Sequence, residues 1–249
     1  ESIYTMGFLN FLWGALFFIF IALVIKKNFL FSPASLPTFG ARAFLEIAQA
    51  QMGVLAVTRA ERSTIGFITV GTVPLLLLAD LWLGYNITPT QIIGITVIVG
   101  ALFFLLINHG LNKKGIWYVI FITVNAAATI SLYKYNITNF NSVETEAGLM
   151  LVILLLYFFF MAFWRKKENA MKFLKKPIFL VQSISGGLAV VLISFSYIFA
   201  AASVITTAKR AFSVFWSVVS GSFYFHEKHF FIKLASFALV AVGLVLLVV

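Results

Sequence analysis

The sequence contains no cysteine, only 5 prolines, and only 10% charged residues among 249. Each shortage removes a class of protein. Without cysteine there is no disulfide framework, no thiolate metal site and no cysteine nucleophile. With 16 glycines and 5 prolines, collagen and low-complexity disorder are excluded. What fills the space is apolar: 62% of residues are hydrophobic and the mean hydropathy is +1.04. A soluble fold of 27.7 kDa cannot hide that much apolar surface, because a folded monomer leaves a large share of its side chains outside. A water-soluble globular enzyme is therefore excluded, and a polytopic membrane protein remains.

The net charge is +10, from 18 Lys and Arg against 8 Asp and Glu. Nucleic-acid binding would need a basic soluble face, and the short loops leave no soluble domain, so no nucleic-acid partner is expected. Basic residues between membrane spans instead set topology and meet anionic headgroups.

A spanning helix needs about 20 mostly apolar residues. Nine such runs are expected: Tyr4–Ile25, Ala43–Thr58, Ser63–Leu83, Gln91–Ile107, Gly115–Tyr133, Val143–Trp164, Pro177–Ala202, Ser203–His226 and Ile232–Val249. Their continuity predicts helices rather than barrel strands, which alternate over about ten residues. A shift that carries Leu83 onto Phe225, 142 residues further on, superposes the first four runs on the last four. Under it the turn Leu83-Gly84-Tyr85-Asn86 falls on Phe225-His226-Glu227-Lys228. The fifth run has no upstream partner, and the chain begins at Glu1 rather than Met. The expected fold is therefore all-α integral membrane, with two inverted five-helix repeats, nine spans present and a first helix missing. The first repeat would cover 1–110 and the second 111–249.

On these residues the sequence resembles the drug/metabolite transporter superfamily, in its EamA-type ten-helix branch. The similarity rests on Thr72-Val73-Pro74-Leu75, Leu83-Gly84-Tyr85 and Gln91-Ile92-Ile93-Gly94 in the first half. In the second half it rests on Gly221–Glu227, Ala235 and Val242-Gly243-Leu244. The mid-helix proline is kept only as Pro74, with Trp216 in its place in the second half. The turn glutamate is kept only as Glu227, with Tyr85 in place of the first. The pair Lys209-Arg210, inside the eighth run, is similar to the Lys-Arg pair of the triose-phosphate and nucleotide-sugar translocators, where it contacts the substrate phosphate. The resemblance implies a secondary transporter in the bacterial inner membrane, a monomer or homodimer, moving a small organic metabolite by alternating access.

Charged residues at mid-span cost about 2.5–3.5 kcal/mol each on insertion scales. Two adjacent cations cannot both face lipid, so Lys209 and Arg210 are candidate contacts for an anionic or zwitterionic substrate. Snorkelling to the interface and an internal salt bridge are the other readings. Glu46 and Gln49 share one face of the second run. Glu46 reads either as a buried coupling carboxylate or counter-ion, or as the ordinary helix partner of Arg42. Asn125, like Asn10, is polar at mid-depth, as cavity lining or as helix–helix glue. Asp80 is expected at the interface. His109, His226 and His229 lie at run ends, and only His226-Glu227-Lys228-His229 has a ligand-like spacing, which is a weak signal for a metal. No phosphate loop, zinc-protease helix or nucleophile elbow occurs, so no cofactor, no metal and no enzymatic activity is expected. A lipid-modifying membrane enzyme and a non-transporting membrane subunit are the alternatives.

Alternate loops divide the cations into two sides. One holds Lys26, Lys27, Arg42 and Lys134. The other holds Arg59, Arg62, Lys113, Lys114, the six between Arg165 and Lys176, Lys228 and Lys233. The richer side is expected in the cytoplasm. With an added first helix that puts the N-terminus outside, whereas the resemblance implies both termini inside.

Overall fold

The computed structural model describes residues 2–82, 88–108 and 113–248. Among them it contains ten α-helices and no strand. They are α1 (Ile3–Phe20), α2 (Leu36–Arg59), α3 (Arg62–Thr69), α4 (Thr72–Trp82), α5 (Pro89–Ile107), α6 (Ile116–Asn139), α7 (Val143–Lys166), α8 (Pro177–Ser196), α9 (Ala202–Phe223) and α10 (Phe230–Val248). The turn expected at Leu83-Gly84-Tyr85-Asn86 and His109 lie outside the described residues.

Among the described residues five segments are long and apolar enough to cross a membrane: Ile3–Ile25, Arg62–Leu81, Ile116–Asn139, Val143–Lys166 and Pro177–Ser196. The apolar stretches Pro89–Leu105 and Phe230–Leu246 are shorter. Helices α2 and α9 have the length, at 24 and 22 residues, but carry charge inside it, at Arg42, Glu46, Lys209 and Arg210. This is an all-α membrane protein.

The third expected run is not one helix. It breaks at Val70-Gly71 into α3 and α4. Pro74 is the cause: it has no N–H to donate to the Val70 carbonyl, and its ring crowds that oxygen. Val73 N–H bonds Val70 O instead, at 2.9 Å, and Gly71 N–H bonds Ile68 O at 3.0 Å. Both are tight three-residue spacings. These local bonds take up the carbonyls that the break loosens, and α6 lies alongside. Thr72 Oγ1 donates to Thr123 O at 3.2 Å, and the Thr123 hydroxyl lies 3.5 Å from Ile68 O.

The chain forms two compact units. The first comprises Glu1–Val54 and Leu132–Phe199, the second Leu55–Ser131 and Ala200–Val249. Each draws on sequence from before and after residue 110, so a compact unit is not a sequence half.

In the first unit α1 packs on α7 and α8. Gly7 lies against Phe158, Gly14 against Leu151, and Phe18 against Gly148. As numbers rise on α1 they fall on α7, so these two helices are antiparallel. Tyr4, Phe8, Leu12 and Phe158 form its apolar core. Helix α8 comes closest at Gly187: a Cβ there would stand 2.6 Å from Gly14 N and 2.8 Å from Trp13 C. Nothing lies within 4 Å of a Cβ at Gly186. In the second unit α3 and α4 pack on α9, and α5 packs on α10. Contacts of Gly66 with Ser217, Thr72 with Arg210, and Asp80 with Ser203 run in opposite directions, so α3–α4 and α9 are also antiparallel. Phe67, Val73, Ile98, Val214, Val240 and Leu244 make that unit's core.

Gly187→Val and Gly186→Val therefore separate packing from composition. Overpacking costs about 1–3 kcal/mol where side chains can yield; at Gly187 the obstacle is backbone. In detergent thermal melts, Gly187→Val is expected to destabilise by at least that amount and Gly186→Val to melt like the parent.

Candidate functional site

The break between α3 and α4 is where one of the two adjacent cations, Arg210, meets irregular backbone. Arg210, half-buried on α9, donates from Nη2 to Thr72 Oγ1 at 3.3 Å. Thr72 is the first residue of α4 and fully buried. Its hydroxyl thus accepts from Arg210 while donating to Thr123 O. The guanidinium is held beside the N-terminal end of a half-helix, where the backbone dipole is positive. Lys209, the next residue back, is exposed. Asn125 is buried in the same unit, two residues beyond Thr123 on α6.

The first unit holds a different cluster. Arg42 is buried on α2, and Glu146 is fully buried in the first turn of α7. Arg42 Nη1 lies 2.8 Å from Glu146 Oε1 and Nη2 lies 3.5 Å from Glu46 Oε1. Its guanidinium sits 4.5 Å over the Tyr133 ring centroid. Glu146 also accepts from Asn136 Nδ2 at 2.9 Å and from Asn141 Nδ2 at 2.6 Å. Thr38 donates to Asn136 Oδ1 at 2.6 Å, and Asn141 Nδ2 donates to Ser35 Oγ at 2.9 Å. One carboxylate therefore joins the start of α2, the end of α6 and the start of α7. Beside it, Lys26 pairs with Glu144 at 3.0 Å.

Three more carboxylates close helix N-termini, where the first N–H groups have no partner in their own helix. Glu168 accepts from Ser2 N at 3.1 Å and Thr5 Oγ1 at 2.5 Å, at the start of α1. Asp80, expected at the interface, is buried and accepts from Ser203 N at 3.3 Å, at the start of α9. Glu227 accepts from Arg62 N at 2.7 Å, from Ser63 N at 3.3 Å and from the Ser63 hydroxyl, at the start of α3. Lys233 Nζ, 1% exposed, completes Glu227 at 2.9 Å and lies 3.7 Å from Glu61. Burial pushes the Glu227 carboxyl up, but the bonds from Ser63 and Lys233, with the charge of Lys233, outweigh it and hold it below its ordinary value. Glu168 is likewise held low, by Thr5 first and then Ser2.

Of the five site residues read from sequence, Lys209, Arg210 and Asn125 belong to the second unit and Glu46 and Gln49 to the first. Glu46 takes the helix-partner position beside Arg42. Gln49 is half-buried one turn further along α2, and Asn10 is exposed. Glu146, the most connected carboxylate of the first unit, carries no sequence motif. Two acids in the first turn of an apolar run, just after Asn136 and Asn141, were the readable signal. Lys233 reads as a loop cation and is a buried one. Among the described residues no group of three or more His, Asp or Glu side chains is placed to hold a metal ion.

Removing one partner of a buried ion pair costs about 3–5 kcal/mol, whereas a partly exposed i,i+4 pair is worth under about 1 kcal/mol. Arg42→Met is thus expected to destabilise the protein severely and Glu46→Gln barely, as read by denaturant or thermal unfolding in detergent. Glu227 makes a pH prediction. Because its folded pKa is lowered, its stabilisation is complete above the unfolded value of 4.5 and is lost as pH falls through the folded value. Unfolding between pH 7 and pH 3 should show this acid slope, and Glu227→Gln should flatten it. No family model matches this chain, and no curated protein matches it.

Proposed function

We propose that the chain is a secondary transporter that moves a small anionic or zwitterionic organic metabolite by alternating access. The carrying observation is the broken span. In carriers, discontinuous helices supply half-helix N-termini that meet anionic substrate groups near mid-membrane. Here α4 begins at such a break, and Arg210 lies on its first hydroxyl. Arginine adds a planar fork suited to phosphate or carboxylate. In this reading Arg210 binds the anionic group, Thr72 aims the guanidinium, and Lys209 and Asn125 contribute further polar contact.

Helix pairing supports the repeat that this mechanism uses. The sequence shift makes α1 equivalent to α7, α3–α4 to α9, and α5 to α10. Each of these three pairs is in contact, and the first two are antiparallel; the fourth equivalent pair, α2 and α8, does not pack together in the same way. An inverted repeat produces antiparallel pairs for those helices that lie close to a two-fold axis in the membrane plane. The location that fits is a bacterial inner membrane.

Purified protein in proteoliposomes, offered labelled sugar phosphates, organic acids and amino acids, tests the reading. At least one should accumulate, and Arg210→Gln should cut its uptake about tenfold or more, the worth of one charge-assisted bond. Uptake of none, or uptake indifferent to both Arg210→Gln and Lys209→Gln, would overturn it.

A further inference from the structure

A cavity of about 720 Å³ lies within the second unit, at the ends of its helices and away from Arg210. Its wall is built from the end of α2, the start of α3, Lys114 ahead of α6, the turn between α9 and α10, and Lys233 in α10. Arg59, Arg62, Lys114, Lys228 and Lys233 line it, against two carboxylates, Glu61 and Glu227. All five cations belong to the Lys/Arg-rich side of the alternate-loop division, and the structure gathers them at one place.

Both carboxylates are engaged in holding the protein together. Glu227 caps α3 and binds Lys233, and Glu61 pairs with the same Lys233. The wall around Glu61, Glu227 and Lys233 carries four further cations and, among the described residues, no third carboxylate. Two of the four are aimed by aromatic rings. Arg59 lies 5.1 Å from the Tyr118 ring centroid and donates to its hydroxyl, and Arg62 lies 5.2 Å over Phe225. Preset guanidinium forks match the oxygens of a phosphate better than swinging side chains do. Beside the pocket, Phe223, Tyr224 and Phe231 are strongly exposed. Aromatic residues in that setting mark headgroup depth.

We propose that this pocket binds the phosphate-bearing headgroup of an anionic phospholipid in the leaflet on the Lys/Arg-rich side. The site stands apart from whatever the protein carries. The phosphate diester meets Arg59, Arg62 and Lys228, the acyl chains lie along the exposed Phe223 and Phe231, and Glu227 with Lys233 forms the floor.

Native mass spectrometry of the full chain in neutral detergent, with phosphatidylglycerol or phosphatidylcholine added, tests this. Phosphatidylglycerol should be retained at least about tenfold more than phosphatidylcholine, and Arg59→Gln/Lys228→Gln should remove about that preference. Each single variant is measured as well, because both side chains are exposed and neither touches the Glu227–Lys233 pair. Lys172→Gln/Lys175→Gln, in the basic segment after α7, should retain the lipid as the parent does. Equal retention of the two lipids, or equal loss in the Lys172/Lys175 variant, overturns the site. Displacement of the lipid by millimolar inorganic phosphate would assign the pocket to free phosphate and overturn the lipid assignment.

Discussion

A bilayer offers the end of a helix no water, so every helix that stops near or inside it must find partners for its first N–H groups in another part of the chain. This protein meets that demand with very few acids. It has 8 carboxylates in 249 residues. Glu168 closes α1, Glu227 closes α3 and Asp80 closes α9, each reaching from a different element. Glu146 acts at a corner through side chains instead, joining α2, α6 and α7 by way of Arg42, Asn136 and Asn141. Apolar packing between α1 and α7, or between α5 and α10, is interchangeable in kind, since lipid is as apolar as leucine. The carboxylate ties are not interchangeable, and they set which helix end meets which.

The same scarcity throws the cations into relief. Arg42, Lys26 and Lys233 are matched by carboxylates a few ångströms away. Arg210 reaches the Thr72 hydroxyl, where Pro74 has opened a spanning helix. A guanidinium held beside the positive end of a half-helix is an arrangement that suits an anionic group. In the basic pocket the balance again favours anions, because Glu61 and Glu227 are committed to Lys233.

The apolar helices were readable because a spanning helix is written as one long run. Tyr4–Ile25, Val143–Trp164 and Gln91–Ile107 match α1, α7 and α5 within a few residues. Helix α2 begins seven residues before the expected Ala43, because Pro37 stands in its first turn, where a proline's missing N–H costs nothing. Pro74 was visible, but run length alone does not say that a proline three residues into α4 splits the span; that depends on whether the backbone can close the break with tighter local bonds, as Gly71 and Val73 do. The pairings of Glu146 with Arg42 and of Glu227 with Ser63 join residues 104 and 164 positions apart. No local pattern encodes them. The division into two interleaved units was likewise hidden, since it follows from which helices touch rather than from their order.

The absence of cysteine offers a direct probe of the central claim, because one introduced thiol reports alone. Ser213 is half-buried on α9, one turn beyond Arg210. Alternating access around the α3–α4 break predicts that Ser213→Cys in sealed, oriented vesicles reacts with a membrane-impermeant thiol reagent added from either side. Reaction from one side only, or from neither, would contradict it.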